Sequence, residues 1–207
     1  MDTGTLLDSL KRLKAIADVG LLYCQNGFDR ERYEEVHEIV FNLLNGLTGY
    51  GLPSLALSFA QTPDYPTAKV DIRGITLSAD NNILLVKEAT DGKWSLPGGW
   101  ADIGYSPMET VIKETKEETG IDVEVHSLIA VFDKRLHPHP PHPDYVYKMV
   151  FYCQPVSAEI SHGFDVAGAA FFDLENLPAL SEERILKSQV ELVFNKIMSG
   201  DFKTYFE

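Results

Sequence analysis

The chain has 207 residues, 44% of them apolar, which is enough for one large domain or for a small and a medium-sized domain with packed cores. Its 18 basic and 31 acidic residues give a formal net charge of −13, which disfavours binding to nucleic-acid backbones and to anionic lipids. Because the sequence has no apolar run of about 18 residues, no signal-peptide pattern and no metal-type cysteine spacing, we expect a cytoplasmic protein without a membrane span.

The first third of the chain has the periodicity of amphipathic helices. Apolar residues over 6–21 recur close to every 3.6 residues, which predicts one helix. The next apolar face, over 33–44, predicts a second helix that is capped by Asp29 and ends at Gly46. A third apolar piece follows at 55–59.

A change of composition predicts the boundary between two domains. The segment 63–68, with Pro63 and Pro66, breaks helix propensity and is expected to be a linker. It separates a helical N-terminal domain, 1–62, from a second domain, 69–207. Because short amphipathic helices cannot bury their apolar faces alone, they should pack on this chain or on a partner, and we expect a homodimer to which they contribute.

After the linker, strand patterns replace the helical ones. Runs of β-branched, aliphatic and aromatic residues predict strands at 70–77, 83–86, 122–132, 145–153 and 169–172. Helical patterns in this part cover two segments, 107–119 and 181–198. Strands mixed with two helices predict an α+β fold or an α/β sandwich.

A loop rich in glycine and proline leads into the first of these two helices. The loop covers 96–104, and Ser106, Pro107 and Glu109 follow in the arrangement of a capping box with proline at the first helical position. Gly120 is a typical C-terminal stop. The sequence therefore predicts a loop followed by a helix with well-defined ends.

Three glutamates share one face of that helix. Glu114, Glu117 and Glu118 lie at spacings of three and four residues. Like charges at these spacings destabilise a helix by roughly 0.2–0.5 kcal/mol per pair, and a hard cation such as Mg²⁺ or Mn²⁺ would turn that repulsion into coordination. The alternative is a solvated surface on which Lys113 and Lys116 pair with the acids. Composition alone does not decide between the two.

The loop and helix together resemble the Nudix box. This motif is written G-x5-E-x7-R-E-U-x-E-E-x-G-U, where U is a bulky aliphatic residue, and its first glycine corresponds to Gly99. The second half of the motif is matched in register by Glu114, Glu117, Glu118, Gly120 and Ile121. The resemblance implies a Nudix domain over 69–207, which is an α/β/α sandwich with a mixed sheet.

Three positions differ from the box. Tyr105 takes the place of the first glutamate, Lys113 that of the arginine and Thr115 that of an aliphatic residue. In the family, the glutamate and the arginine are expected to pair and to fix the loop against the helix. Since both partners have changed, no single buried charge is left unpaired, and we interpret the change as a substituted structural brace. Asp102 keeps an acid in the loop.

The resemblance also implies the site residues. The carbonyl of Gly98 and the carboxylates of Glu114, Glu117 and Glu118 are expected to bind Mg²⁺ or Mn²⁺. Such an ion would neutralise phosphate charge and activate water. Glu117 and Glu118 are assigned as catalytic residues, and the group that accepts the proton from water is left open.

Several substrate contacts are predicted, each beside a structural alternative. Arg73 could bind phosphate, with Asp71 on the same strand face, or the two could form a surface pair. Trp100 is a candidate for stacking on a base, and a core position is the alternative. Asp102 in the loop and Glu88 at a strand end are candidates for the lining of the site.

His139 belongs to a run of histidine and proline at 136–143. The prolines favour a stiff, extended path, and a loop between two predicted strands is a common place for substrate contacts. His139 is therefore a candidate for substrate binding, and a stiff exposed loop without such a role is the alternative.

The layout as a whole resembles a bacterial two-part group of the Nudix family. That group is described as hydrolysing ADP-ribose or CDP-choline, so the predicted substrate is a nucleoside diphosphate linked to another group. The alternatives are a nucleoside triphosphate pyrophosphatase and a non-catalytic nucleotide-sensing module. The presence of all three box carboxylates argues against the sensing module.

Overall fold

The chain divides into two compact units, as seen in a computed structural model. One unit is Met1–Ala68 with Pro141–Tyr145, and the other is Lys69–Pro140 with Val146–Glu207. The structure describes residues 3–48, 65–142, 144–157, 159–163 and 165–207. Within these residues, no helix is both long enough and apolar enough to cross a membrane.

Two long helices form most of the described part of the first unit. They are α1 (Thr3–Tyr23) and α2 (Gly27–Thr48). The helices pack on each other through a small apolar core that contains Leu7, Leu10, Val40 and Leu44. Both predicted N-terminal helices are therefore present.

The two ends of α2 differ from the prediction. Asn26, and not Asp29, is the capping residue, because its side-chain oxygen accepts a hydrogen bond of 2.7 Å from the N–H of Asp29. At the other end, the helix continues past Gly46 to Thr48. A glycine inside a helix costs only about 1 kcal/mol relative to alanine, so it does not have to end one.

Part of the predicted domain boundary falls on described residues. Residues 65–68 form neither helix nor strand. The apolar piece at 55–59 and the linker residues 63 and 64 lie outside the described residues.

The second unit contains two β-sheets. Its strands are β1 (Lys69–Thr76), β2 (Ile83–Glu88), β3 (Trp94–Ser95), β4 (Gly98–Trp100), β5 (Val123–Asp133), β6 (Val146–Pro155), β7 (Val166–Phe172) and β8 (Tyr205–Phe206). The larger sheet has the order β4-β1-β6-β5-β8 and is mixed, since β1 is parallel to β6 and antiparallel to β4. The smaller sheet, β3-β2-β7, is antiparallel. The predicted α+β class with a mixed sheet is confirmed.

Two helices pack on these sheets, α3 (Pro107–Thr119) and α4 (Lys187–Met198). The two faces of β1 pack in two different apolar clusters, because successive side chains of a strand point to opposite faces. Ile72 packs in the cluster that includes Val111 of α3, and Ile75 packs in the cluster that includes Val190 of α4.

The ends of α3 follow the prediction. The Ser106 hydroxyl accepts a hydrogen bond of 3.2 Å from the N–H of Glu109, and the Glu109 carboxylate accepts one of 2.8 Å from the N–H of Ser106. Gly120 ends the helix with a φ of 73°, in the left-handed region that favours glycine. Both caps use residues close in sequence, so they could be predicted.

The predicted start of α4 at residue 181 is wrong, because the helix begins at Lys187. The N–H of Ser181 donates to the Trp94 carbonyl at 2.8 Å, and its hydroxyl donates to Asp91 at 2.7 Å. These contacts hold Ser181 against β3 instead of in a helix. The strands β3, β4 and β8 were not predicted, because two or three residues are too few to show a period.

Candidate active site

The glycine loop closely approaches both β1 and α3. Gly98 has a φ of 139°, and a Cβ at this position would lie 2.0 Å from the Ile72 carbonyl oxygen. Only glycine fits there. A Cβ at Gly99 would lie 3.2 Å from the carboxylate of Glu114. The two glycines therefore bring the backbone of β4 to the acidic face of α3.

Glu118 is the most enclosed of the three glutamates on this face. It is 6% exposed and accepts a hydrogen bond of 2.8 Å from the N–H of Gly98. Burial raises the pKa of Glu118 to about 8, and the carboxylates of Glu88 and Glu114 act in the same direction, against Gly98 and Arg73. A cation close to this carboxylate would restore its charged form.

Lys113 lies among the other acids. Its ammonium is 3.4 Å from Glu114, 3.6 Å from Glu117 and 3.6 Å from Asp102. Burial raises the pKa of Glu114, and Lys113 opposes that shift. The side chain of Glu117 is 56% exposed. Lys113 therefore forms the ion pairs that the sequence analysis gave as the alternative to a metal site.

A buried network of charges connects β1 with β6. Arg73 donates to Asp71 at 2.9 Å and to the Leu96 carbonyl at 3.0 Å, and Lys148 also donates to Asp71. The side chains of all three charged residues are buried. Burial raises the pKa of Asp71, but the two cations outweigh it and the net shift is downward. The predicted pair of Asp71 and Arg73 exists, although in the interior and not at the surface.

Glu88 extends this network at the end of β2. Its carboxylate accepts a hydrogen bond of 2.6 Å from Ser95, forms an ion pair with Arg184 at 2.9 Å and lies 3.9 Å from Arg73. Neither Lys148 nor Arg184 was predicted. The signal for Lys148 was a single charge within the apolar strand β6, since charged residues are almost never fully buried unless paired. No comparable signal marks Arg184.

Trp100 lies at the edge of the larger sheet and not in the core. It pairs with Asp71 in the register of β1 and β4 and is 48% exposed. The Lys69 ammonium lies 5.5 Å from the centre of the Trp100 ring. The core alternative for Trp100 is therefore excluded.

His139 lies on a separate loop, and residue 143 of its run is outside the described residues. Its Nδ1 is 2.5 Å from the Glu182 carbonyl oxygen, so this nitrogen carries the proton. Burial lowers the pKa of His139 to about 4, and the cations Lys148 and Lys134 act in the same direction. Nε2 is buried without a hydrogen-bond partner in the described structure. His139 has no hydrogen bond to the three glutamates in that structure.

Two family models match the chain. Residues 5–56 match a domain described as UDP-X-like, N-terminal oligomerisation domain. Residues 68–192 match the NUDIX domain. The chain belongs to the Nudix family. As a Nudix hydrolase it is an enzyme of the pyrophosphatase type.

Relatives of this Nudix hydrolase include proteins similar over its whole length. A Bacillus subtilis (strain 168) protein, YjhB, whose name places it provisionally among ADP-ribose pyrophosphatases, is 38% identical over 97% of this chain and 96% of its own. A crystal structure of a UDP-X diphosphatase covers 100% of both chains with 33% identity and a TM-score of 0.63. That of an ADP-ribose pyrophosphatase from Streptococcus suis 89-1591 covers 68% of this chain and 100% of its own, with 35% identity and a TM-score of 0.61.

The unusual Nudix-box residues contact each other. The Lys113 ammonium lies 5.3 Å from the centre of the Tyr105 ring, within the range of a cation–π interaction. Tyr105 and Lys113 therefore contact each other at the two positions where the family has its glutamate and arginine, and their role as a brace stays a prediction. Thr115, at an aliphatic position of the box, is fully buried, and the small Gly74 faces it.

Nudix hydrolases generally use a divalent metal ion, and carboxylate oxygens are the donors that hard divalent ions prefer. The three glutamates project from one helix beside the Gly98 backbone, and Glu118 is a buried carboxylate whose pKa is raised to about 8. Within the described part of the chain, no three side chains of His, Cys, Asp or Glu are grouped as a metal site. Lys113 already supplies a positive charge between Glu114 and Glu117.

Proposed function

We propose that this Nudix hydrolase cleaves the diphosphate of a nucleoside diphosphate linked to another group, with Mg²⁺ or Mn²⁺ as its cofactor. The observation that carries the proposal is the buried Glu118, held by the Gly98 N–H on the helix face that also presents Glu114 and Glu117. Relatives named as ADP-ribose pyrophosphatases support ADP-ribose as the first candidate substrate. The resemblance to the two-part group makes CDP-choline the second candidate substrate.

The proposed metal ligands are the Gly98 carbonyl and the carboxylates of Glu114, Glu117 and Glu118. When bound, the ion neutralises phosphate charge and activates water. The hydrogen bond from Gly98 fixes Glu118 against the loop, so this carboxylate is preorganised. Glu117 has an exposed side chain and therefore space to meet the substrate. Glu117 and Glu118 are the proposed catalytic residues.

The buried network beside this face supports a role in holding the diphosphate. Arg73 and Lys148 share the carboxylate of Asp71, and Arg73 also lies 3.9 Å from Glu88. Arginine and lysine donate strong hydrogen bonds to phosphate oxygens, and this makes both cations candidates for contact with the diphosphate. Glu88 is proposed to position Arg73 and to line the site.

The remaining proposed contacts are to the two ends of the substrate. Trp100 has an exposed ring on which a base can stack. Asp102 is exposed in the loop beside the acidic face. His139 offers Nε2 as a hydrogen-bond acceptor, because its proton is held at Nδ1.

We further propose that the enzyme is a homodimer built through α1 and α2. Large apolar side chains on these helices are exposed, among them Leu13 at 44%, Ile16 at 47%, Ile39 at 52% and Leu43 at 52%. Exposed apolar side chains on two packed helices are candidates for an interaction surface. The match to an N-terminal oligomerisation domain supports the same assembly.

A substrate panel tests the proposed reaction. The full chain with Mg²⁺ is incubated with ADP-ribose, CDP-choline, a UDP-sugar and nucleoside triphosphates, and EDTA samples serve as controls. We expect cleavage of a linked nucleoside diphosphate to a nucleoside monophosphate and a phosphorylated partner, lost with EDTA. Release of pyrophosphate from triphosphates alone would instead identify a triphosphate pyrophosphatase.

A further inference from the structure

Lys113 is placed where a metal ion would find its ligands. Its ammonium lies 3.4 Å from Glu114, 3.6 Å from Glu117 and 3.6 Å from Asp102. The Nudix box has an arginine at this position. A lysine presents a compact charge on a flexible stem, whereas an arginine presents a planar fork with fixed geometry. Lys113 can therefore change partners more easily than the usual residue.

Tyr105 provides the second partner for the same ammonium. The centre of its ring lies 5.3 Å from the Lys113 nitrogen, and a cation within about 6 Å of an aromatic face is attracted to it. The usual box residue, a glutamate, would hold a cation by its charge. Tyr105 attracts the cation without adding a negative charge to the site. Lys113 thus lies between an acidic side and an aromatic side.

We propose that Lys113 is the counter-cation of the metal-free site, and that a divalent ion displaces its ammonium from Glu114 and Glu117 towards the ring of Tyr105. An ion bound to both carboxylates would lie within a few ångströms of the ammonium, and two cations at that distance repel each other. Lys113 therefore weakens metal binding, and Tyr105 limits the loss by holding the displaced ammonium. The inference rests on the proposed metal-dependent function.

Metal affinity measured without substrate tests the displacement. Mn²⁺ binding to the full chain is followed by electron paramagnetic resonance at low ionic strength. We expect Lys113→Met to tighten binding about tenfold, because two partly exposed ion pairs no longer compete with the metal. Lys116→Met is the matched control on the same helix. The Lys116 ammonium bonds to the Gly120 carbonyl at 2.9 Å and to Asp122 at 2.8 Å, and we expect no change in affinity.

A second pair of variants tests the role of the ring. We expect Tyr105→Leu to weaken Mn²⁺ binding about threefold when Lys113 is present, and to leave it unchanged in the Lys113→Met background. A ring that only braces the loop would have the same effect in both backgrounds. Lys113 and Tyr105 are partly exposed, so the variants are expected to fold, which thermal melting in EDTA verifies.

The outcomes separate this inference from the proposed function. If the wild type binds Mn²⁺ and Lys113→Met binds it no more tightly, the proposed displacement of the Lys113 ammonium is wrong. The proposed metal dependence of the enzyme is not contradicted by that result. Equal tightening by Lys113→Met and Lys116→Met would also overturn it, since any positive charge on the helix would then act alike. If none of the proteins binds Mn²⁺, both the inference and the proposed metal dependence fail.

Discussion

Three glutamates on one helix have different surroundings. Glu118 is buried and hydrogen-bonded to the backbone, Glu114 is partly buried, and Glu117 is largely exposed. The same functional group is therefore held by a backbone hydrogen bond at one position and exposed to solvent at another. This difference assigns Glu118 to fixed coordination and Glu117 to contact with the substrate in the proposed mechanism.

The first prediction concerns the charge of Glu118. We expect Glu118→Gln to lower kcat with Mg²⁺ by about a hundredfold or more, because the amide has nearly the same volume but no charge. Glu114→Gln should have a similar effect. Steady-state kinetics measures the loss, circular dichroism verifies the fold, and Glu124→Gln, on the exposed side of β5, is the control. Near-normal turnover by both active-site variants would refute the assignment.

The second prediction concerns the buried network. Lys148→Met removes one of two cations from Asp71, and we expect a loss of about 3 kcal/mol in the free energy of unfolding, at the low end for a broken buried pair because Arg73 remains. The pKa of Asp71 is lowered in the folded state. The contribution of Asp71 to the stability of the fold is therefore present at neutral pH and is lost as the pH falls through this lowered pKa.

Urea denaturation at several pH values measures this loss. The difference in the free energy of unfolding between wild type and Lys148→Met should become smaller in acid, where Asp71 becomes protonated in both proteins. Lys93→Met, at an exposed position, is the control and should change stability by less than about 0.5 kcal/mol. A loss no larger than that of the control would contradict the prediction.

At the scale of elements, the structure follows the sequence where the signals are local. The ends of α3 agree with the prediction because Ser106, Glu109 and Gly120 make their contacts within the helix or next to it. The start of α4 does not agree, because Ser181 bonds to Trp94 on β3, far away in sequence. A helical period alone cannot reveal such a competing partner.

The third prediction concerns the loop that carries His139. Burial lowers the pKa of this histidine from 6.5 to about 4 in the folded state. As the pH falls, the unfolded chain therefore takes up the proton first, and stability present above pH 6.5 is lost between 6.5 and about 4. We expect the stability of His139→Gln to decrease less over this pH range than the stability of the wild type.

Chemical denaturation across that pH range measures the slope of the free energy of unfolding against pH. His126→Gln, at an exposed histidine of β5, is the control and should keep the wild-type slope. Equal slopes for wild type and His139→Gln would mean that His139 is not held in its neutral form. Kinetics of His139→Gln on the substrate found in the panel would separately test its proposed contact.

At the scale of the whole molecule, the fourth prediction concerns the assembly. Ile39→Glu places a charge on the exposed apolar face of α2, and burial of that charge in an interface would be unfavourable. We expect a dimer for the wild type and a monomer for the variant in light scattering at micromolar concentration. Glu124→Lys in the second unit is the charge-change control. A monomeric wild type would contradict the proposed dimer.

The sequence by itself determined the helices of the first unit, the strands with a clear period, the position of α3 and the register of the Nudix box. These features depend on residues that are neighbours along the chain. The tertiary structure alone decided the burial of Glu118 and of the Asp71 network, because their partners are distant. Gly98 is 20 residues from Glu118, and Lys148 is 77 residues from Asp71. Local patterns cannot specify which distant group enters a buried site, and that choice sets the charge and geometry there.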